Sequence, residues 1–291
     1  MPSESFPTWA KQSDRPNQVM SARFRAATAR RSATGVRRAR PAAPVTVSAV
    51  LLTIVGCSGS APGPDSACSC YLIQQDGFAL LLDAGNGASG PLQRYAAPQD
   101  VDAVILSHAH ADHYIDISQL QYLRNVTGAP PLPIIAPANL PGLLLLIRPE
   151  SWAITTPRPG PVQLGPLAVR QARVAHGQME CWATRIGDQL CYTADTEPCA
   201  ALDELADGCG VLLAEASGLD GDQLPRHLTA GDAGRLAARS RTRLLILTHL
   251  RPWLDHPALL AEAARHAPCP VILARPGLRV ALTGGQPPAA A

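Results

Sequence analysis

The stretch Ser107-His-Ala-His-Ala-Asp-His113 decides which fold this sequence can adopt. It follows an apolar, strand-like segment and precedes a helix-like one. If the backbone stays extended at its start, His108 and His110 point the same way, and the next turn brings Asp112 and His113 around. Imidazole and carboxylate are ligands of divalent transition metals, so this run predicts a metal site at the end of a strand.

A histidine-rich surface loop is the simpler alternative for this run. Six of the eight histidines in the chain, however, lie in this run or in the segments considered below. Such clustering is improbable by chance, so metal binding is the favoured interpretation.

Three later segments also place candidate ligands at the ends of predicted strands. They are Arg173-Val-Ala-His176, Tyr192-Thr-Ala-Asp195 and Leu247-Thr-His249. A single histidine or aspartate at a strand end is more often structural, so each segment alone is weak evidence. Their order behind the histidine run indicates one shared site, because loops that follow strands gather over the same sheet edge.

This ordered set of motifs resembles the signature of the metallo-β-lactamase superfamily over about residues 50 to 283. The resemblance implies an α+β fold, an αββα sandwich of two mixed β-sheets flanked by helices. It also implies two bound Zn²⁺ ions, with Mn²⁺ as an alternative. The implied ligands are His108, His110 and His176 for one ion, Asp112, His113 and His249 for the other, and Asp195 as a bridge.

Two further elements resemble the ribonuclease Z-like branch of that superfamily. Glu215 lies in Ala214-Glu-Ala-Ser217, and His227 begins His227-Leu-Thr-Ala-Gly-Asp232. In that branch the histidine, oriented by the glutamate, protonates the leaving oxygen, which supplies the acid that phosphodiester cleavage needs opposite the nucleophile. The alternative is that both residues cap helices or pair on the surface.

The implied activity is that of a metal-dependent hydrolase in which a metal-activated hydroxide, oriented by Asp112, attacks phosphorus. Ribonuclease Z enzymes usually carry a long RNA-binding arm between the third and fourth motifs, whereas His176 and Asp195 are only 19 residues apart here. We therefore expect a small anionic phosphodiester as substrate. The chain most resembles the armless, cyclic-nucleotide phosphodiesterase-like hydrolases of this branch, and this resemblance implies hydrolysis of a 3′,5′-cyclic nucleotide to its 5′-monophosphate. Long RNA is the less favoured substrate.

Several alternatives stay open at this point. One is ribonuclease Z-like RNA processing. Another is hydrolysis of a lactone, thioester or β-lactam, for which Glu215 and His227 would be unnecessary. The others are single-iron redox chemistry and a scaffold without turnover, although such scaffolds usually lose ligands and all seven are present here.

Charge is distributed unevenly along the chain. Residues 1–46 carry nine Lys or Arg against two acids, whereas residues 47–291 carry 16 Arg, no Lys and 21 acids. A mildly acidic body argues against broad nucleic-acid binding. We predict a basic, disordered N-terminal extension over residues 1–46, a hydrolase domain over 47–285 and a disordered tail over 286–291. A homodimer is left open.

The cysteines and the first apolar stretch bear on location. Eight scattered cysteines, several inside strand-like runs, suggest reduced thiols and a cytoplasmic protein. No apolar run reaches the roughly 18 residues of a transmembrane segment. Residues 42–56 before Cys57 resemble a lipoprotein signal, which would imply export through Cys57. The favoured alternative is that Val50 to Val55 is the first core strand.

Hydrophobic patterning predicts strands and helices in two successive halves. The predicted strands are Val50–Val55, Cys70–Gln74, Phe78–Asp83, Val101–Ser107, Leu167–Ala175, Gln189–Thr193, Gly210–Ala214, Arg243–Thr248, Val271–Ala274 and Leu278–Leu282. The predicted helices are Ile115–Arg124, Ala230–Ser240 and Pro257–Ala267. The ten prolines between Pro130 and Pro166 predict a lid or an irregular connection there.

Overall fold

Two β-sheets stack face to face in the computed structural model, which describes residues 49–140 and 151–282 and the backbone of 289–290. The strands are β1 (Val50–Gly56), β2 (Cys70–Gln75), β3 (Phe78–Leu82), β4 (Ala103–Ile105), β5 (Leu132–Ile135), β6 (Trp152–Thr155), β7 (Val162–Leu164), β8 (Leu167–His176), β9 (Met179–Ile186), β10 (Leu190–Tyr192), β11 (Val211–Glu215), β12 (Leu244–Thr248), β13 (Val271–Leu273), β14 (Arg279–Leu282) and β15 (Ala289–Ala290). The helices are α1 (Ser89–Leu92), α2 (Ala111–Tyr114), α3 (Ile117–Val126), α4 (Ala200–Ala206), α5 (Ala230–Arg239) and α6 (His256–His266).

Both sheets are mixed, which confirms the predicted sandwich. The first sheet has the order β15-β14-β1-β2-β3-β4-β5-β6, and the second has the order β13-β12-β11-β10-β9-β8-β7. In the first sheet β3 to β6 run parallel, and in the second sheet β10 to β13 run parallel. The remaining neighbours pair antiparallel. The C-terminal ends of both parallel groups therefore form sheet edges at which loops can converge.

Alternation along the strands explains how the first sheet is buried on both faces. Tyr71 and Ile73 of β2 belong to the core between the sheets, whereas Leu72 packs on the other face with Ile117 and Leu120 of α3. Successive side chains of a strand point to opposite faces, so a strand covered on both sides must be apolar throughout. This explains why these strands appear in the sequence as continuous apolar runs.

The proline-rich segment differs from the prediction of a lid or irregular connection. Its described part contributes β5 and β6 to the first sheet and β7 to the second. Pro133 lies within β5 at an exposed position, and β5 pairs with β4 on one side and with β6 on the other. Because of its prolines, the sequence did not predict the three strands in this segment. Residues 141–150 lie outside the described part of the chain.

Other element boundaries shifted by a few residues. The helix predicted over Ile115–Arg124 is α3, shifted by two residues, and the short helix α2 before it was not predicted. The long strand β9 was not predicted as an element. The predicted extension over 1–46 lies outside the described residues, and within the predicted tail the backbone of Ala289–Ala290 pairs with β14.

Strand β1 confirms the first core strand that was predicted before Cys57. Val50–Gly56 is a central strand of the first sheet, and Cys57 directly follows it with 4% exposure. Burial raises the pKa of its thiol to about 11, so this thiol is neither accessible nor reactive in the fold. Across the described residues, no helix combines the length and apolar character that crossing a bilayer requires.

Gly85 allows the turn after β3 to approach the turn that carries Asp112. A Cβ atom at Gly85 would overlap the Asp112 carbonyl oxygen and lie 2.8 Å from Cys68 Cβ. We expect Gly85→Ala to lower the free energy of unfolding by about 2 kcal/mol, because two backbone segments must separate. Urea denaturation measures this, with Gly90→Ala as control, since a Cβ at Gly90 meets no atom within 4 Å. An equal loss in both variants would contradict the packing argument.

Candidate metal centre

Four loops bring the candidate ligands to one edge of the sandwich. The histidine run follows β4, His176 ends β8, Asp195 follows β10 and His249 follows β12. Asp195 and His249 come from adjoining loops of the second sheet, because β10 and β12 flank β11 in parallel. The structure therefore places side chains from both sheets at a common edge.

The first group of facing side chains comprises His108, His110, His176 and Asp195. His110 Nδ1 lies 2.9 Å from His108 Nε2 and 3.2 Å from His176 Nε2. His108 Nε2 also lies 3.8 Å from Asp195 Oδ2. Three ring nitrogens and a carboxylate oxygen thus face a common point, as a tetrahedral metal site requires.

The second group comprises Asp112, His113 and His249. Asp112 Oδ2 lies 3.1 Å from His249 Nε2 and 3.6 Å from His113 Nε2. Asp195 approaches this group as well, with Oδ1 3.4 Å from His113 Nε2 and Oδ2 3.3 Å from His249 Nε2. One carboxylate therefore contacts both groups, so it stands where a bridging ligand would stand.

Two buried atoms in this cluster test whether a cation fits. His113 Nε2 and Asp195 Oδ1 are inaccessible and have no hydrogen-bond partner among the described residues. An unpaired buried polar group costs about 1–3 kcal/mol, so native proteins nearly always satisfy such groups. A divalent cation held by both atoms would satisfy them, and the mixed nitrogen and oxygen ligands suit zinc or manganese.

Hydrogen bonds on the outer ring nitrogens fix four of the imidazoles. Their Nδ1 atoms contact Ser107 Oγ at 3.0 Å (His108), Asp83 Oδ2 at 2.8 Å (His113), the Arg226 carbonyl at 2.8 Å (His176) and Ser217 Oγ at 3.0 Å (His249). Such contacts hold the ring orientation and keep Nε2 for the cation. All four Nε2 atoms accordingly face the interior of the cluster.

Asp83 is the principal site residue that the sequence did not reveal. It is fully buried and accepts hydrogen bonds from the Ser107 amide at 2.7 Å, the Ser107 hydroxyl at 2.8 Å and the Tyr192 hydroxyl at 2.8 Å. With His113 it therefore has four polar contacts. Its only signal in the sequence was an acid at the end of a predicted strand, beside a glycine-rich turn.

Glu215 and His227 lie beside the second group. Glu215 is fully buried at the end of β11 and accepts hydrogen bonds from Ser217 Oγ at 2.7 Å and His227 Nδ1 at 2.8 Å. His227 Nδ1 is also 3.7 Å from Asp195 Oδ2. The pair is therefore not on the surface, and the cap of α5 is Thr229 rather than either residue.

Electrostatics hold His108 and Asp195 in forms that bind metal, whereas at His113 burial lowers the pKa but Asp195 and Asp83 outweigh burial and raise it. Burial lowers the pKa of His108 and keeps its imidazole neutral. Burial would raise the pKa of Asp195, but His249 and His113 outweigh this effect and lower it. A neutral imidazole and an ionised carboxylate are the protonation states in which these side chains bind a cation.

The net shift in pKa at His227 is opposite to that at His108. Desolvation by itself lowers the pKa of this imidazole, but the hydrogen bond and the charge of Glu215 outweigh it, so the pKa is raised. His227 therefore keeps its proton to higher pH than an isolated histidine does.

Comparison with known proteins identifies the family. A model of the metallo-β-lactamase superfamily matches residues 63–284. The chain belongs to the metallo-β-lactamase superfamily. It is a metallo-hydrolase of that superfamily, and the two groups of side chains described above are its candidate metal-binding residues.

Three relatives show where the chain stands within the family. An uncharacterized protein of Mycobacterium leprae is 37% identical and covers 78% of this chain and 86% of its own length. The probable metallo-hydrolase YhfI of Bacillus subtilis is 30% identical in sequence, covering 73% of this chain and 91% of its own. Its crystal structure superimposes with a TM-score of 0.74 over 79% of this chain and 98% of that one. Ribonuclease Z of Myxococcus xanthus is 26% identical, and the match covers 81% of this chain and 99% of the relative.

Asp83 should control cation affinity through His113. We expect Asp83→Asn to weaken zinc binding by about 10- to 100-fold, because the amide cannot accept from all four donors and His113 loses its orienting charge. Competition with a chromogenic chelator measures the affinity. Asp102→Asn is the control, since this carboxylate accepts from the Ala79 amide, outside the cluster. Unchanged affinity in Asp83→Asn would show that His113 needs no such support.

Proposed function

We propose that residues 47–285 form a phosphodiesterase that uses two zinc ions to hydrolyse a 3′,5′-cyclic nucleotide to its 5′-monophosphate. The observation that carries this proposal is the pair of buried Glu215 and half-buried His227 next to the ligand cluster. An oriented acid is needed when the leaving group is a poorly stabilised alkoxide, as in a sugar phosphodiester. Membership of the superfamily accounts for the hydrolase chemistry but not for this additional pair.

In this proposal His108, His110 and His176 hold one cation, Asp112, His113 and His249 hold the other, and Asp195 contacts both. When bound, the two cations supply positive charge that favours an anionic substrate and acidify water towards neutral pH. Asp112 has a second task, because its Oδ2 accepts the Ser60 amide at 2.8 Å and is thereby fixed to orient the attacking water.

His227 is the proposed acid. Its Nδ1 is engaged by Glu215, and no described residue forms a hydrogen bond with its Nε2. As the oxygen of a water that has given one proton to solvent bonds to phosphorus, the bond from phosphorus to the 3′ oxygen breaks, and His227 donates a proton to that leaving oxygen. The raised pKa of His227 supports this role, because the imidazole must be protonated before the bond breaks.

The connection between His176 and Asp195 supports a small substrate. It consists of β9, a tight turn and β10, all paired within the second sheet. It therefore contains no projecting arm that could hold a folded RNA. The acidic balance of residues 47–291 points in the same direction, since phosphate backbones are bound by clustered basic side chains.

Arg251 is the proposed contact for the substrate phosphate. It lies two residues after His249, and its backbone carbonyl accepts hydrogen bonds from His256 Nε2 at 2.9 Å and the Leu254 amide at 3.1 Å. Its Nε is buried without a hydrogen-bond partner, and no described carboxylate pairs with it. Its charge lies close enough to His227 to lower the pKa of that imidazole, although the larger effect of Glu215 leaves the pKa raised. An anionic substrate would give this guanidinium its missing partner.

Location in the cytoplasm is part of the same proposal. All eight cysteines are described and carry free thiols, and six of them are buried. Free thiols are typical of proteins in reducing compartments.

The loss of kcat in His227→Ala should be larger for a poorer leaving group. We expect His227→Ala to reduce kcat on cyclic AMP or cyclic GMP by roughly 100-fold or more, because the 3′ alkoxide needs a proton. On bis(p-nitrophenyl) phosphate, whose nitrophenolate leaves unprotonated, we expect a loss of less than about 5-fold. Steady-state kinetics with zinc or manganese supplied measure both values, and Glu215→Gln should show the same pattern more weakly.

The same assays separate this proposal from its alternatives. No release of nucleoside monophosphate from either cyclic nucleotide by the wild-type protein would remove the substrate assignment. Turnover of a lactone that is insensitive to His227→Ala would indicate acyl hydrolysis, and cleavage of precursor transfer RNA would indicate RNA processing.

Arg251 should act on substrate binding more than on turnover. We expect Arg251→Ala to raise KM for the cyclic nucleotide about 10-fold while kcat changes by less than about 3-fold, because a charge-assisted contact to phosphate is lost. Arg275→Ala is the control, since this exposed arginine lies on a different loop. A KM that stays at the wild-type value in Arg251→Ala would exclude contact with the phosphate.

A further inference from the structure

The loop of residues 216–229 joins β11 to α5 and supplies two contacts to the site. His227 Nδ1 bonds Glu215 Oε2 at 2.8 Å, and the Arg226 carbonyl accepts from His176 Nδ1 at 2.8 Å. The proposed acid and the support of a candidate ligand thus come from adjacent residues. A displacement of this loop would disturb both.

The middle of this loop is exposed and would be mobile without anchors. Residues 220–223 and 225–226 are solvent-exposed, and the loop contains Gly218 and Gly221. Arg226 has a φ of 76°, a left-handed conformation that costs a side-chain-bearing residue about 1–2 kcal/mol. Contacts elsewhere must therefore hold Arg226 in place.

Two carboxylates hold the outer side of the loop. Asp220 accepts from both terminal nitrogens of Arg235, at 2.7 and 2.9 Å, and from Thr229 Oγ1 at 2.5 Å. Glu262 of α6 is 5% exposed, and its Oε2 accepts the Asp220 amide at 2.9 Å and the Gly231 amide at 3.2 Å. One buried carboxylate therefore ties the loop to the start of α5 and to α6.

We propose that Asp220 and Glu262 are positioning residues that keep His227 aligned with Glu215 and the Arg226 carbonyl on His176. This inference rests on the proposed function for the role of His227, but the restraint on the loop does not. Neither carboxylate contacts the ligand cluster. Both act through the backbone of the 216–229 loop, so their loss should loosen the loop without removing any group that touches substrate.

The Asp220–Arg235 pair contributes little to global stability, because both side chains are more than one third exposed (37% and 38%). Arg235 lowers the pKa of Asp220 to about 2, so the carboxylate stays ionised under any assay condition near neutral pH. A local effect of removing it can therefore be separated from general unfolding.

The chain offers a matched control. Arg239 near the C-terminal end of α5 pairs with Asp203 of α4 at 2.7 and 3.1 Å, and the two side chains are 48% and 42% exposed. Asp203→Ala thus removes an ion pair of similar exposure from the same helix, in which one carboxylate oxygen accepts both hydrogen bonds. Asp203, the partner of Arg239, does not contact the 216–229 loop.

The test combines hydrogen exchange with kinetics at saturating zinc. In Asp220→Ala we expect backbone amides of the 216–229 loop to exchange about 10-fold faster, with unchanged exchange in β11. We expect kcat on the cyclic nucleotide to fall about 10-fold and kcat on bis(p-nitrophenyl) phosphate to stay within about 2-fold, because only the poor leaving group needs an aligned acid. Asp203→Ala should change neither quantity.

The outcomes are distinguishable. Unchanged exchange in the loop overturns the inference, as does faster exchange with equal losses on both substrates. If the wild-type protein has no phosphodiesterase activity, the proposed function fails while loop exchange still tests the restraint. If Asp220→Ala does not fold, Arg235→Gln removes the same ion pair from the other side and must give the same pattern.

Discussion

Unpaired buried ligand atoms are the constraint on which this structure depends. Imidazole nitrogens and carboxylate oxygens face one another at the edge of two sheets, and His113 Nε2 and Asp195 Oδ1 have no hydrogen-bond partner in the described chain. Burying such atoms costs free energy that only a cation or a proton can recover. Cation binding and the stability of this edge are therefore linked, because a ligand that binds only the folded state stabilises it.

The backbone at this edge is strained in the same places where it presents ligands. Asp83, Ala194 and His249 follow strands and have positive φ angles of 60°, 53° and 53°. Each such residue costs about 1–2 kcal/mol without the freedom of glycine. Asp83 recovers part of this cost through its four polar contacts, and His249 would recover part through a bound cation. Strain concentrated around one cluster is typical of a functional site.

Rigidity decreases outward from the cluster. Asp83 lies in the core beneath the histidine run and is enclosed on all sides, whereas His227 is held on a partly exposed loop. An acid that must meet substrates can lie on a loop only if something else restrains that loop. Asp220 and Glu262 are suited to this task because they bind backbone and side chains on the side away from the cluster.

The sequence alone determined the family, the sandwich and which residue types gather behind each strand, because these depend on hydrophobic alternation and on motif order. Most core strands were predictable for the same reason, whereas β5 to β7 were hidden by prolines and by their short length. Tertiary structure alone decided that Asp83 supports His113, that Asp195 contacts both ligand groups and that Asp220 anchors the loop of His227. These contacts join residues far apart in the chain, and no local propensity or spacing encodes which distant donor a buried carboxylate will meet.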